Sequence, residues 1–292
     1  MPKPKILILG VTGMLGHTLF KKLITSTMYE VYGTARSVKV LDRFFSEDEH
    51  RRIRPFVDAD NFDTVIRALG SVQPDIVINC IGLIKQLPIG HDPLTAITIN
   101  AQLPHRISLI CRAANARLIH ISTDCVFDGL EGMYTESDSP SPADLYGRTK
   151  LLGETTYQHC ITLRTSIIGH ELKDKLGLVE WFLAQKYSVR GYTRAIYSGF
   201  STLELAKIIE RYVLPNNDLS GLYHVSSEPI SKYDLLCLVR ERYCKEIEIE
   251  PYADFVCDRS LDSSRFRAAT GYMPPTWEEM VTRMYEGSMS KG

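Results

Sequence analysis

Lys5-Ile6-Leu7-Ile8-Leu9 runs directly into Gly10-Val11-Thr12-Gly13-Met14-Leu15-Gly16, and a helical pattern continues through Leu19, Leu23 and Ile24. The first five residues are a short apolar run suited to a strand buried on both faces. Glycines let a backbone approach a pyrophosphate closely, and the start of the following helix favours its negative charge. A tight turn would also use glycine. A strand before the turn and a helix after it are, however, the context that a dinucleotide fingerprint requires. Gly10, Thr12, Gly13, Met14, Leu15 and Gly16 are therefore candidate cofactor contacts. The spacing is Gly-x-x-Gly-x-x-Gly, not the Gly-x-Gly-x-x-Gly form.

Working outward, Val31 to Ala35 is a second strand, ending in Arg36-Ser37 with Lys39 close by. An NAD-selective site places a carboxylate near this point to bind the ribose 2′-hydroxyl. A cation there suits a 2′-phosphate, so NADP(H) is preferred and NAD(H) stays open. The plain alternative is a solvated arginine at a strand end. Asp42 to Arg54 is a charged loop or helix. Pro55-Phe56-Val57 is expected as a third strand, ending at Asp58-Ala59, with Asp58 able to cap a helix from Phe62 to Leu69. Asp75 to Cys80 is a fourth strand, followed by Ile81-Gly82 and then Leu83 to Gln86 at the sheet edge where ligands gather. Lys85 and Gln86 are substrate candidates there, against the alternative of an ordinary surface loop. Pro93 to Ala116 is a long helical pattern containing Asn100, and Arg117 to Thr123 is a fifth strand.

Asp144-Leu145-Tyr146-Gly147-Arg148-Thr149-Lys150 places a phenol and an ammonium at i and i+4, on one face of a helix. A phenol of pKa ~10 is a poor donor at neutral pH. A neighbouring Lys⁺ favours the phenolate and makes Tyr146 a usable general acid. Alone, the spacing also fits an exposed helical face; the glycine turn, Asn79 and Thr123 arriving in order give it its meaning. Cys160 to Ser166 is a sixth strand. Further on, helices are expected over Leu178 to Tyr187, Leu203 to Val213 (capped by Ser201 or Thr202) and Ser231 to Tyr243. Strands are expected at Gly221 to Ser226 and Ile247 to Pro251.

The 292 residues are 44% hydrophobic and 24% charged, with a net charge of -1. That balance gives no electrostatic case for nucleic acid or an anionic membrane. No apolar run approaches the roughly 20 residues of a membrane span. The start of the chain lacks the cleavage region of a signal peptide. Seven cysteines are scattered without any Cys-x-x-Cys pair, so neither zinc nor a disulfide framework is expected. They suit buried reduced thiols in a cytoplasmic protein, with no metal.

The glycine spacing is similar to that of the short-chain dehydrogenase/reductase superfamily. Ser122-Thr123-Asp124-Cys125-Val126-Phe127-Asp128-Gly129 resembles the Ser-Thr-Asp-Tyr-Val-Phe-Asp-Gly signature of the dTDP-4-dehydrorhamnose reductase family. Leu163-Arg164-Thr165-Ser166, the segment Arg259-Ser260-Leu261-Asp262-Ser263-Ser264-Arg265, and Gly271-Tyr272-Met273-Pro274-Pro275-Thr276-Trp277 resemble further family motifs, so the likeness runs from Lys5 to about Met284. It implies a Rossmann-type, doubly wound parallel α/β sheet over 1–166. A small C-terminal α/β substrate-binding lobe over 167–292 would return segments to the main sheet. It implies that Asp58, with Ala59, meets the adenine, and that Asn79, Cys80, Ile81 and Gly82 line the nicotinamide ribose. Asn100 would support the lysine, and Lys150 would also bond the ribose. Thr123 would align the substrate carbonyl, with Ser122 the runner-up, and Asp124 would contact substrate. Cys125 departs from the family's tyrosine, a position able to touch the sugar.

The implied activity is NADPH-dependent reduction of the 4-keto group of a dTDP- or UDP-linked 6-deoxyhexose, in nucleotide-sugar and polysaccharide biosynthesis. A homodimer is one assembly that the resemblance allows. Two alternatives stay: a non-catalytic NADP-binding regulatory subunit of the same family, and a nucleotide-sugar epimerase or dehydratase. A dehydratase commonly carries Asp-Glu after the strand-five threonine, where this chain has Asp124-Cys125.

Overall fold

A computed structural model describes residues 2–86, 88–173 and 175–289. The chain forms two compact units, Met1–Ser122 with Asp144–Leu163 and Asn216–Leu222, and Thr123–Ala143 with Arg164–Pro215 and Tyr223–Gly292. A seven-stranded sheet is built from β1 (Lys5–Leu9), β2 (Glu30–Thr34), β3 (Ile53–Arg54), β4 (Ile76–Asn79), β5 (Arg117–Thr123), β6 (Cys160–Thr165) and β7 (Gly221–His224), in the order β7-β6-β5-β4-β1-β2-β3. β1 pairs in parallel with β2 and β4, β2 with β3, and β4 with β5. Ile6 to Leu9 have no exposed surface, as their uninterrupted apolar run requires.

Helices cover this sheet with apolar stripes. α1 (Met14–Leu23) buries Leu15, Leu19 and Leu23, spaced one turn apart. α2 (Phe62–Val72) buries Phe62, Val65, Leu69 and Val72 in one core with Leu7 and Leu9 of β1, Val77 of β4 and Leu118 of β5. Each fully buried aliphatic side chain contributes about 1.5–3 kcal/mol. Truncating Leu118 to alanine would cost about 2–5 kcal/mol once the cavity is included.

The main departures from the sequence reading have local causes. The third strand was expected at Pro55 to Val57, yet β3 is Ile53–Arg54. The ladder breaks because Phe56 leaves the extended conformation and turns outward at φ +60, 69% exposed. Pairing resumes at Val57, whose amide donates to the Ala35 carbonyl. The charged stretch before it forms two short helices, Val38–Phe44 and Glu47–Arg51, the second with a Ser46/Glu49 capping box. The single helix expected from Pro93 is divided: Pro93–Ala96, a π-helical turn over Ile97–Gln102, then α3 (Leu103–Ala113). Such turns absorb one extra residue and re-aim a side chain; here that side chain is Asn100.

The second unit is mixed α/β. Ser188–Tyr192 pairs in parallel with Glu248–Tyr252, and Ala195–Tyr197 is flanked by Ile230–Ser231 and Cys257–Asp258. Its helices include Thr202–Ile208, capped by Ser201, and Lys232–Arg242, capped by Ser231. The helix expected to reach Tyr187 ends at Ala184, because Gln185 is already extended. Among the described residues no helix is long and apolar enough to cross a membrane, and no His/Cys/Asp/Glu group could hold a metal.

Candidate active site

In the first unit, the glycine turn is held by its own backbone. Gly10 sits at φ +86, and the Gly13 amide donates to its carbonyl at 3.1 Å. A Cβ at Gly16 would collide with that same carbonyl oxygen, so only glycine lets α1 start so close to β1. Gly13 is the N-cap of α1, makes no side-chain capping bond, and no acid follows in the first turn. The opening amides around Met14 and Leu15 are thus met by no capping side chain, and no negative charge opposes an anion. Thr12 is half-buried beside them. This cradle fits a diphosphate.

Arg36 is exposed just past the end of β2, and Lys39 is exposed in the helix Val38–Phe44. Asp58 is exposed and Ala59 buried. The Asp58 carboxylate accepts from the Asp60 amide at 3.2 Å, and the N-cap of α2 is Asn61. Asp58 therefore closes a turn and does not cap the helix, which corrects that expectation.

At the end of β4 the candidates converge. Buried Asn79 accepts the Ile81 amide at 3.1 Å through Oδ1, and its Nδ2 lies 3.2 Å from His120 Nδ1. A Cβ on Gly82 would lie 3.5 Å from Asn100 Oδ1 and 3.9 Å from Lys150 Nζ. Burial pushes the Cys80 thiol up to about 12, with the Lys150 charge pulling the other way. Asn100 Oδ1 accepts the Leu83 amide at 2.8 Å, while Nδ2 donates to the Leu83 carbonyl and to Thr149 Oγ1. Asn100 thus ties the turn after β4 to the residue beside the lysine. No side-chain bond joins it to Lys150 among the described contacts.

Tyr146 and Lys150 lie on α4 (Leu145–Leu152). Asp144 caps this helix, its Oδ1 accepting the Gly147 amide at 2.8 Å and its Oδ2 lying 3.7 Å from Lys85 Nζ. Lys85 is exposed and engaged with the cap. Tyr146 is half-buried. Lys150 is 5% exposed and donates to the Ile121 carbonyl at 2.6 Å. Burial lowers its pKa to about 8, with Glu154 the larger influence holding it up. Ser122, buried, donates its hydroxyl to Glu154 Oε1 at 2.7 Å.

In the second unit, Thr123 is buried; its Oγ1 accepts the Cys125 amide at 3.1 Å and donates to Asp124 Oδ1 at 3.2 Å. Burial raises the Asp124 carboxyl, with Arg259 the largest opposing influence. Arg259 reaches Cys125 Sγ at 3.5 Å and the Phe127 carbonyl at 2.9 Å. The Tyr197 phenol is pushed well above its ordinary value by burial and by the Asp124 charge. His120 and Glu154, which touch candidates in the first unit, and Tyr197 and Arg259, which act on Asp124 in the second, have no role in the sequence reading. Only Glu154, one turn beyond Lys150, and Arg259, within a C-terminal motif, carried a sequence signal.

A glycine turn opening a helix on a parallel sheet, with a phenol and a buried lysine on the helix after β5, is a Rossmann-type arrangement suited to a nucleotide. The chain belongs to the RmlD substrate binding domain family, whose description matches residues 4–289. It is 26% identical over 302 residues to dTDP-4-dehydrorhamnose reductase of Aggregatibacter actinomycetemcomitans, spanning 95% of this chain and 97% of that one. It is 25% identical over 267 residues to methionine adenosyltransferase 2 subunit beta of Danio rerio, spanning 83% and 75%. The crystal structure of dTDP-4-dehydrorhamnose reductase from Bacillus anthracis in complex with NADP shares the fold, with a TM-score of 0.80 over 98% of this chain and 99% of that one at 22% identity.

Proposed function

We propose that this protein is an NADPH-dependent reductase of the 4-keto group of a dTDP- or UDP-linked 6-deoxyhexose. The observation that carries this reading is Lys150: a buried ammonium pinned to the Ile121 carbonyl, beside Gly82 and Asn100, one helical turn from Tyr146. Burying such a charge without a use is costly, and its field favours the phenolate of a neighbouring phenol. Tyr146 is assigned as the proton donor to the carbonyl oxygen, and Lys150 as the group that tunes it and holds the nicotinamide ribose. Thr123 keeps the role of aligning the substrate carbonyl, and Asp124 and Cys125 that of sugar contacts.

Gly10 to Gly16 would hold the diphosphate, Arg36 a 2′-phosphate, Asp58 and Ala59 the adenine, and Asn79 to Gly82 the nicotinamide ribose. Asn100 fixes this last turn against α4. Bound NADPH supplies the hydride for C4. The substrate lysine role given to Lys85 fits less well, because its ammonium already faces Asp144.

The match to a methionine adenosyltransferase subunit favours one second reading, a nucleotide-binding regulatory subunit. NADPH consumption across dTDP-, UDP- and GDP-linked 4-keto sugars separates the two. Turnover with one of them supports the reductase; NADPH binding without turnover of any supports the subunit. All seven cysteines are free, which supports a reducing compartment such as the cytoplasm. The assembly proposed with this reading is a homodimer. Sedimentation of the purified protein tests that homodimer.

A further inference from the structure

Lys150 and Glu154 stand at i and i+4, and each grips a neighbouring residue of β5. The lysine donates to the Ile121 carbonyl at 2.6 Å, and the glutamate accepts the Ser122 hydroxyl at 2.7 Å. α4 formally ends at Leu152, but the turn keeps winding: the Gly153 amide donates to the Thr149 carbonyl, and the Glu154 amide to that of Leu151. This places residues 150 and 154 on the same side, facing the strand. Gly153 makes the packing possible, since a Cβ there would collide with the Asn100 carbonyl oxygen. The Ser122 hydroxyl donates its hydrogen bond to the Glu154 carboxylate.

We propose that Glu154 is a positioning residue, the fixed counter-charge of Lys150, and that Ser122 anchors it. This rests on the catalytic role given to Lys150 above. The other titratable groups facing the ammonium do not replace it. Cys80, on the turn after β4, stays a neutral thiol through burial. His120, on β5, is kept neutral by burial and by Lys150 itself. Tyr146, on the same helix, is the group that the ammonium serves. Glu154 is the carboxylate among them, and its attraction holds up the Lys150 pKa against burial. Without that attraction the lysine would lose its proton at lower pH, and Tyr146 would lose the field that makes it an acid.

The test is the titration of the Lys150 ammonium in the ligand-free protein, followed by NMR of labelled lysine, beside the pH profile of kcat/KM. In the wild type both should turn near pH 8. Glu154→Gln keeps the shape and the acceptor for Ser122 but removes the charge, and should move both to lower pH by about one unit. Above the turn this reads as roughly a tenfold loss of kcat/KM. Ser122→Ala, which leaves all charges in place, should move them the same way by less. A Lys150 titration unmoved in both variants overturns the proposal; one moved in Glu154→Gln alone overturns the anchoring by Ser122. The titration needs no substrate, so a moved titration without any turnover counts against the reductase reading and leaves this one standing.

Discussion

Lys150 and Arg36 are two cations assigned to one cofactor, and the fold treats them in opposite ways. Lys150 is 5% exposed, bonded to the Ile121 carbonyl, and brought by burial to a pKa of about 8. Arg36 stands exposed just past the end of β2. A chemical role needs a charge whose strength and position are set in advance, so it is built into the core where the dielectric is low. A selectivity role needs only a cation near a phosphate, and a surface arginine suffices. The difference predicts that changes at Lys150 alter turnover and stability together, whereas changes at Arg36 alter only the choice of cofactor.

The largest effect should come from Lys150→Met, with turnover falling about 10²–10⁴-fold, the usual worth of general acid catalysis. Steady-state rates at saturating NADPH would show it, and a loss below tenfold would place Lys150 beside Arg36 as a binding residue. The same variant tests the cost of burial. Lys150 in the folded chain gives up its proton near pH 8, and in the unfolded chain near pH ~10.4. The folded state therefore binds fewer protons between these values, and wild-type stability relative to Lys150→Met should rise with pH across that window, by about 3 kcal/mol in all. Paired denaturant titrations at pH 7 and above pH 10 measure this; a constant difference would mean that the lysine is not a buried charge.

Arg36→Ala comes next. Its KM for NADPH should rise about tenfold with that for NADH unchanged, consistent with one lost charge-assisted phosphate contact. Equal changes for the two cofactors would remove Arg36 from the site. The smallest effect is at Asp144. Asp144→Ala removes the cap of α4 and should cost about 1 kcal/mol of stability, read as a drop in Tm with the Lys150 titration unmoved.

The alternating strands and glycine turn made the parallel sheet legible, because apolar runs of β1 and β4 are buried on both faces and nothing else explains them. The candidate site was legible where short motifs in the right order carry it, as for Gly10 to Gly16 before a helix and the Tyr146–Lys150 step on one helix. It was not legible where contacts join distant parts of the chain. α4 buries Thr149 and Lys150 and exposes Leu152, so an apolar pattern would have faced it the wrong way. The Asn100 clamp on Leu83 depends on a π-helical turn that no residue in Ile97 to Gln102 announces. His120 reads as an ordinary strand residue, yet it meets Asn79 across the sheet. The third strand stops at Arg54 because Phe56, at φ +60, leaves the extended conformation, which no neighbouring residue announces.

The most direct measurement is NADPH oxidation with a dTDP- or UDP-linked 4-keto-6-deoxy sugar, run side by side for the wild type and Tyr146→Phe. The wild type should give one reduced sugar for each NADPH consumed, and Tyr146→Phe should lose nearly all turnover while still folding and binding NADPH. Equal rates in the two proteins, or no turnover of any such sugar by the wild type, would contradict it.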